Sequence, residues 1–136
     1  MPSPLIMPVT MITAGIFGLM LVALGVNVVR GRFKHLMAHG DQGNQDMLIR
    51  MRTQANFIEY VPMALILFAL VESSGADQMV LAVVAALFVL LRISHAFGMA
   101  QKQPAYLRRI GAMGTFLTLI GMSVWTLAIA VPTLTA

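Results

Sequence analysis

Four side chains suited to chemistry stand at the start of an otherwise hydrocarbon segment. Within the stretch RTQANFIEYVP they recur at helical spacing: Arg52, Asn56, Glu59 and Tyr60. At about 100° per residue these four share one helix face, whereas Gln54 points to the opposite side. A carboxylate inside a bilayer costs on the order of 2.5–3.5 kcal/mol, so we expect Glu59 to face the bundle or a cavity and to have a partner. The pattern therefore predicts a polar binding site.

Basic residues occur at the same end of the other apolar segments. Arg92 and His95 share one helix face late in the third segment, Arg108 begins the fourth, and the first is followed by Arg30. Antiparallel helices would bring eight polar side chains to one depth: Arg30, Arg52, Asn56, Glu59, Tyr60, Arg92, His95 and Arg108. Because arginines outnumber acids in this set, it suits an anionic ligand with carboxylates or phosphates, which a guanidinium binds bidentately. The alternative is a structural network that holds the helices together.

The composition indicates which elements must position these residues. The 136 residues are 59% hydrophobic and only 10% charged, with a mean hydropathy of +0.85, whereas a soluble domain has about 25% charged residues. A helix needs about 20 residues to cross the hydrocarbon core, and the apolar runs do not alternate as barrel strands do. We predict an all-α membrane protein, with one domain over residues 1–136 and four transmembrane helices over residues 9–29, 50–71, 78–98 and 108–131.

All nine basic residues lie on one side of the predicted bundle: Arg30, Arg32, Lys34, Arg50, Arg52, Arg92, Lys102, Arg108 and Arg109. The connection ESSGAD, on the other side, has two acids and no base. The positive-inside rule then places both termini outside and the basic loops in the cytoplasm. This rule accounts for the basic isoelectric point, so the charge is no argument for nucleic acid. The flank MPSPLIMP has no basic residue, so we do not expect the first run to be a cleavable signal.

Two further classes of site are disfavoured. The chain has no cysteine, which excludes disulfides, thiolate metal sites and a cysteine nucleophile. The first basic loop contains possible metal ligands at His35, His39, Asp41 and Asp46, but they have no recognised ligand spacing, and we interpret the segment as a solvated loop without metal. Glycines on the fourth segment, including Gly111, indicate close helix packing.

The polar motifs resemble the signature of the MAPEG family, the membrane-associated proteins in eicosanoid and glutathione metabolism. Three motifs carry the resemblance: Arg52-x-Gln54-x-Asn56-x-x-Glu59-Tyr60-x-Pro62 with the following Glu72 and Gly75, Arg92-x-x-His95-Ala96, and Arg108-x-x-Gly111-x-x-x-Thr115. Together they span essentially the whole chain. The resemblance implies a homotrimer of four-helix subunits in a bacterial inner membrane, with glutathione as co-substrate, no metal, and a lipid-soluble electrophile as the second substrate. Glutathione would bind between subunits near the cytosolic side.

The resemblance also implies roles for individual residues. One subunit would contact glutathione through four residues of the second helix: Arg52, Asn56, Glu59 and Tyr60. Arg92 and His95 would line the same site. Arg30 and Gln54 would reach the glutathione of a neighbouring subunit. Glu59 would pair with the α-ammonium group, arginines would bind the two carboxylates, and Arg108 would stabilise the thiolate. Arg109 is the lesser candidate for that last role, because one step along a helix rotates it by about 100°.

Two other functions remain open at this point. A non-catalytic lipid-binding or scaffold protein of the same fold differs from a transferase only in lacking a thiol-dependent step. A small multidrug transporter would also have four short helices. Such exporters need an acid buried in the membrane, expected in the first helix, and residues 9–29 contain no ionisable side chain. The transporter is therefore the least favoured of the three.

The charge distribution yields a testable topology. If the host is a Gram-negative bacterium, a periplasm-specific reporter fused after Ala136 should be active and a cytoplasm-specific reporter at the same site should be silent. The reason is that all nine basic residues are expected on the cytoplasmic side. A fusion that is active only in the cytoplasm would contradict this topology.

Overall fold

Four long helices build the molecule. The computed structural model describes residues 6–101 and 105–134. Within those ranges all regular structure is helical: α1 (Pro8–His35), α2 (Gln45–Ser73), α3 (Gln78–Met99) and α4 (Tyr106–Leu134). All four are long and apolar enough to cross a membrane. At about 1.5 Å per residue even α3 is roughly 33 Å long, which exceeds the ~30 Å hydrocarbon core. The prediction of an all-α protein with four candidate spans is confirmed.

The first two helices extend beyond their apolar runs at the end of the bundle that carries Arg30, Arg52 and Arg108, which we call the basic end. There α1 continues to His35 and α2 begins at Gln45. The side chain of Asn44 accepts a hydrogen bond from the Met47 N–H at 3.0 Å and so caps the start of α2. The intervening segment shortens to residues 36–44, because polar residues continue a helix outside the apolar run.

The helices pack in a ring with one diagonal contact. α1 lies against α2, α2 against α4, and α4 most closely against α3, which also touches α1. α2 and α3 meet across the middle of the bundle, whereas α1 and α4 make no contact within the described ranges. The sequence predicts α2 and α3 as neighbours from their short connection, and they do touch, although each packs more closely against another helix.

Aromatic rings occupy the centre of the bundle. Phe17 of α1 meets Phe57 of α2 and Phe88 of α3 edge to face, with ring centroids 5.6 and 5.4 Å apart. The ring of Phe68 on α2 also packs against that of Phe88, with centroids 6.1 Å apart. Edge-to-face geometry is favoured by the aromatic quadrupole. This cluster therefore ties α1, α2 and α3 together at mid-depth, between the polar groups at the two ends.

A buried carboxylate fixes the opposite end of the bundle. Glu72, at the end of α2, is only 4% exposed, and its two carboxylate oxygens accept hydrogen bonds from the backbone N–H groups of Val9 (2.9 Å) and Thr10 (2.7 Å). These N–H groups belong to the first turn of α1, which has no partners for them within the helix. The negative charge also suits the positive end of the helix dipole. Glu72 thus has a structural role, joining α2 to α1.

Glycines allow α3 and α4 to approach each other closely. A Cβ atom at Gly111 of α4 would lie 2.5 Å from the Cβ of His95 and 2.6 Å from the carbonyl oxygen of Leu91. A Cβ at Gly98 of α3 would lie 2.1 Å from the backbone nitrogen of Arg108. Real side chains do not occupy such space, so only glycine fits at either position. By contrast, a Cβ at Gly121 would meet nothing within 4 Å.

This contact can be tested with two alanine substitutions on the same helix. Gly111→Ala should destabilise the protein by about 1–3 kcal/mol through overpacking, whereas Gly121→Ala should be neutral or slightly stabilising. Both substitutions add similar helix propensity, about 1 kcal/mol, so their difference isolates the steric clash. Thermal unfolding in detergent measures the effect. Equal midpoints for the two variants would show that α3 and α4 are not in tight contact at Gly111.

Candidate functional site

Arg92 is at the centre of the polar groups within one subunit. Its side chain, on α3, is 1% exposed. One terminal nitrogen donates a hydrogen bond to Oδ1 of Asn56 on α2 at 2.9 Å, and the other donates to Oγ1 of Thr115 on α4 at 3.2 Å. The guanidinium carbon also lies 5.7 Å from the ring centroid of Phe57, within the range of a cation–π contact. Arg92 therefore joins α2, α3 and α4.

The charge of Arg92 has no counter-ion in the described chain. The ion pairs found there all involve Asp46, whose partners are Lys34, His35 and Arg50. In addition, Nε of Arg92 is buried without a hydrogen-bond partner. Burying an arginine without an acid is unfavourable, and neutral acceptors compensate only part of that cost. The site is therefore electrostatically suited to an anion.

His95 and Arg108 extend this cluster towards the basic end. His95 is 4% exposed, its Nδ1 is buried without a partner in the described residues, and it lies within electrostatic reach of both Arg92 and Arg108. The backbone at Arg108 is held by α3, because Gly98 leaves room for its nitrogen and Ser94 Oγ donates to the carbonyl oxygen of Leu107 at 3.0 Å. The close contact between α3 and α4 thus positions Arg108 beside the buried cluster.

Tyr60 belongs to the same side of the bundle. Its ring packs edge to face on Phe116 of α4, with centroids 5.4 Å apart, and it is within electrostatic reach of Arg92. Five of the residues predicted for the site are thereby brought together within one subunit: Asn56, Tyr60, Arg92, His95 and Arg108. These five form what we call the inner cluster.

The remaining predicted residues do not join the inner cluster. Arg52 and Glu59 are exposed on α2, and Arg30 is exposed on α1. Gln54 faces α1, where its amide nitrogen lies 3.6 Å from the position of a Cβ on Gly25. Within the described ranges, no hydrogen bond or ion pair joins any of these four residues to the inner cluster.

Glu59 differs from the other acids of the chain. Glu72 caps α1, Asp77 accepts from the Val80 N–H at the start of α3, Asp41 accepts from the Gly43 N–H, and Asp46 is paired as described above. The sequence has five acidic residues, so four of them have local structural roles. Glu59 is exposed and makes no hydrogen bond or ion pair to residues 6–101 or 105–134.

Two of the possible metal ligands of the first basic loop, His35 and Asp46, contact each other. Nε2 of His35 lies 2.8 Å from Oδ2 of Asp46, and its Nδ1 lies 3.3 Å from the side-chain nitrogen of Asn44. These contacts tie the end of α1 to the start of α2. In the part of the chain that the structure describes, no three His, Cys, Asp or Glu side chains cluster as a metal site.

Sequence reasoning did not assign two residues that contact Arg92. Thr115 accepts from Arg92 and in turn donates to the carbonyl oxygen of Gly111 at 2.7 Å, and Phe57 provides the ring beneath the guanidinium. The spacing of Thr115 contains a usable signal, since it follows Arg108 by seven residues and so lies on the same face of α4. Phe57 gives no such signal, because a phenylalanine in an apolar run looks like core.

Comparisons with known proteins identify the family of this chain. The sequence model of the MAPEG family matches residues 10–128. Two bacterial relatives, both named "Inner membrane protein YecN", come from Escherichia coli K12 and from Escherichia coli O6:H1. Each is 27% identical over 114 residues, which covers 84% of this chain and 86% of the relative. No solved structure matches significantly. Because the family match covers most of the chain and includes all three polar motifs, this protein belongs to the MAPEG family.

Proposed function

We propose that this protein is a glutathione-dependent transferase or peroxidase that acts on lipid-soluble electrophiles. The observation that carries the proposal is the buried guanidinium of Arg92, which has no acid beside it among the described residues and lies in one cluster with His95 and Arg108. Such a cluster is suited to a small anion with several carboxylates. Membership in the MAPEG family supports glutathione as that anion.

The chemistry of glutathione fits the distribution of charges. At neutral pH the tripeptide has two carboxylates and one α-ammonium group. The carboxylates would be bound by arginines, among which Arg52 is accessible on α2 and Arg92 lies deeper. The ammonium would pair with Glu59, the acid without a partner in the described chain. Asn56 and Tyr60 would add hydrogen bonds from the same helix face.

Arg108 is the proposed catalytic residue. A free thiol has a pKa of about 8.5, so only a few per cent is the nucleophilic thiolate near pH 7. A positive charge within about 4–6 Å favours the ionised form. Arginine stays protonated and does not take the proton itself, so the thiol proton would pass to solvent. The thiolate would then form a carbon–sulfur bond to the electrophile, and the leaving group would depart with its electron pair.

The exposed polar residues of α2 support a homotrimer. An isolated subunit would present Glu59 and Arg52 on its outer surface, at the start of an apolar run, where an acid facing lipid is costly. A neighbouring subunit that brings Arg30 and Gln54 to this face would cover these side chains and complete the site. Gln54 points away from the inner cluster of its own subunit, as a residue serving a neighbour would.

The proposed setting is a bacterial inner membrane with the site at the cytoplasmic face. The relatives from Escherichia coli are inner membrane proteins by name, and the four helices suit a membrane of that kind. The positive-inside rule then places the basic end in the cytoplasm and both termini in the periplasm. Glutathione would enter from the cytosol, and an apolar electrophile would reach the same site through the lipid.

The role of Arg108 can be tested by separating binding from thiolate formation. Arg108→Ala should raise the thiol pKa of bound glutathione by roughly 1–3 units and slow the reaction with a chlorinated aromatic about tenfold or more at pH 7. Glutathione binding should weaken much less, since the carboxylate contacts remain. Ultraviolet absorbance of the thiolate against pH measures the first effect, and calorimetry measures the second.

The matched control for this experiment is the neighbouring residue. Arg109→Ala removes the same charge one step along α4 and should leave the thiol pKa unchanged. If the pKa instead responds to Arg109 and not to Arg108, the catalytic role belongs to Arg109. If the wild-type protein binds glutathione without lowering its thiol pKa, the non-catalytic scaffold is the better assignment. Absence of glutathione binding in calorimetry would refute the proposed function altogether.

The trimer can be tested by subunit mixing. Arg52→Ala and Gln54→Ala homotrimers should each bind glutathione weakly, because each lacks one contact at every site. If Arg52 and Gln54 act on one glutathione from different subunits, random mixed trimers should regain about a quarter of their sites. Glutathione binding to the co-expressed mixture, measured by calorimetry, gives the result.

Two residues from one subunit provide the control for mixing. Arg52 and Asn56 lie on the same face of α2, so mixtures of Arg52→Ala with Asn56→Ala should regain no sites. Recovery in this control would mean that the mixing result does not report shared sites. A purified monomer that binds glutathione as tightly as the trimer would contradict a site between subunits.

A further inference from the structure

A groove runs along the basic half of the bundle on the side away from α4. It lies between α1 and α3, with α2 as its floor, and has a volume of about 620 Å³. Its walls are mainly apolar, with Met20 and Ala23 on α1 and Ile93 and Ala96 on α3. This volume falls in the range of ligand sites, roughly 300–1,000 Å³. The inner cluster lies between α2, α3 and α4, so the groove is a separate feature.

The polar residues of the groove are concentrated at its basic end. Asn27, Asp46 and Arg50 line it there, and Arg50 donates from one terminal nitrogen to both the carbonyl oxygen and the side-chain oxygen of Asn27. The other polar residue in the lining, Thr53, donates its hydroxyl hydrogen to the carbonyl oxygen of Ile49. The groove is therefore apolar along most of its length and charged at its basic end, which we call its mouth.

The charge at the mouth is net positive. Arg50 Nε lies 3.2 Å from Oδ1 of Asp46, and Nζ of Lys34 lies 3.5 Å from its Oδ2. The single negative charge of Asp46 is thus shared between two permanent cations. Lys34 is mostly exposed and follows Ile16 on α1 by about five helical turns, so it lies above the same groove wall. The net positive charge of these residues would therefore attract an anionic group to the mouth of the groove.

The length of the groove corresponds to one leaflet of a bilayer. Its α1 wall extends from Ile16 to Asn27, which is about 16 Å at 1.5 Å per residue. This is roughly half of the ~30 Å hydrocarbon core. An acyl chain that lies along the wall would bring its head group to the level of Asn27 and Arg50.

We propose that this groove binds one acyl chain of an anionic phospholipid from the leaflet at the basic end, with the lipid phosphate beside Arg50 and Lys34. Arginine binds phosphate bidentately and lysine acts as a point charge. Basic pockets between transmembrane helices are a known means of recognising anionic head groups. The inference does not depend on glutathione chemistry, because none of the groove residues belongs to the inner cluster.

The experiment compares two lipids with identical acyl chains. Purified protein in a neutral detergent is titrated with phosphatidylglycerol or phosphatidylcholine, and native mass spectrometry counts the lipids bound per subunit. Wild-type protein should bind phosphatidylglycerol at least fivefold more tightly. Lys34→Gln should weaken phosphatidylglycerol about fivefold, the effect of one basic residue near a membrane surface, and leave phosphatidylcholine unchanged. Inorganic phosphate alone should neither bind nor compete, since it lacks the acyl chain.

Two alanines test whether the groove itself is occupied. Ala96→Phe should fill the groove and reduce binding of both lipids, and Ala23→Phe on the opposite wall replaces it if that variant does not fold. The control is Ala86→Phe in a second groove between α1 and α3, nearer the other end, which has a volume of about 370 Å³ and no charged residue in its lining. This control should leave the preference for phosphatidylglycerol intact.

Three outcomes would overturn the proposal. Equal binding of the two lipids by the wild-type protein would mean that the mouth does not recognise the phosphate. Unchanged phosphatidylglycerol binding in both groove-filling variants would place the lipid elsewhere. If those variants instead break the oligomer without loss of lipid, the occupant is a neighbouring subunit. Loss of glutathione binding would leave these measurements unaffected, so the lipid site and the proposed enzymatic function can fail independently.

Discussion

A buried guanidinium that has no counter-ion in the described part of the chain is the constraint on which the site depends. Arg92 is held by Asn56, Thr115 and the ring of Phe57, and these neutral partners fix its position without cancelling its charge. Buried charged groups of this kind are concentrated at functional sites. Three helices build the surroundings of Arg92: α2 supplies the amide, α4 supplies the hydroxyl, and glycines let α3 and α4 approach each other closely.

Most acidic residues of the chain have structural roles and do not pair with the arginines of the predicted site. Four of the five have local structural roles, in helix caps, a turn and the α1–α2 ion pairs. None of these four neutralises an arginine of the predicted site. Glu59 is the exception, since it is exposed and has no partner in the described residues. In the proposed function, the α-ammonium group of glutathione would supply the partner that Glu59 lacks in the described residues.

One subunit presents two unlike polar faces. The inner cluster is assembled within the subunit, whereas Arg30, Arg52 and Glu59 are exposed and Gln54 lies beside α1. In water such residues would be ordinary surface, but beside an apolar run they require a partner. In the proposed trimer these exposed residues would link ligand binding to assembly, and the groove between α1 and α3 would hold the proposed lipid. The two features lie on different sides and have different chemistry.

The sequence alone determined the four helices, the clustering of basic residues at one end of the bundle and the polar residues that are candidates for the site. Length and hydropathy suffice for a membrane helix, because its backbone must satisfy its own hydrogen bonds. Helical periodicity grouped Arg52, Asn56, Glu59 and Tyr60 on one face and set Gln54 apart. Only the tertiary structure decided which of these residues meet. It placed Arg92 against Thr115 and Phe57, gave Glu72 its capping role and left Glu59 exposed. Such contacts depend on the order, rotation and spacing of the helices, which follow from packing at positions such as Gly98 and Gly111. A periodic sequence pattern specifies one face of a helix, but it does not specify which other helix that face meets.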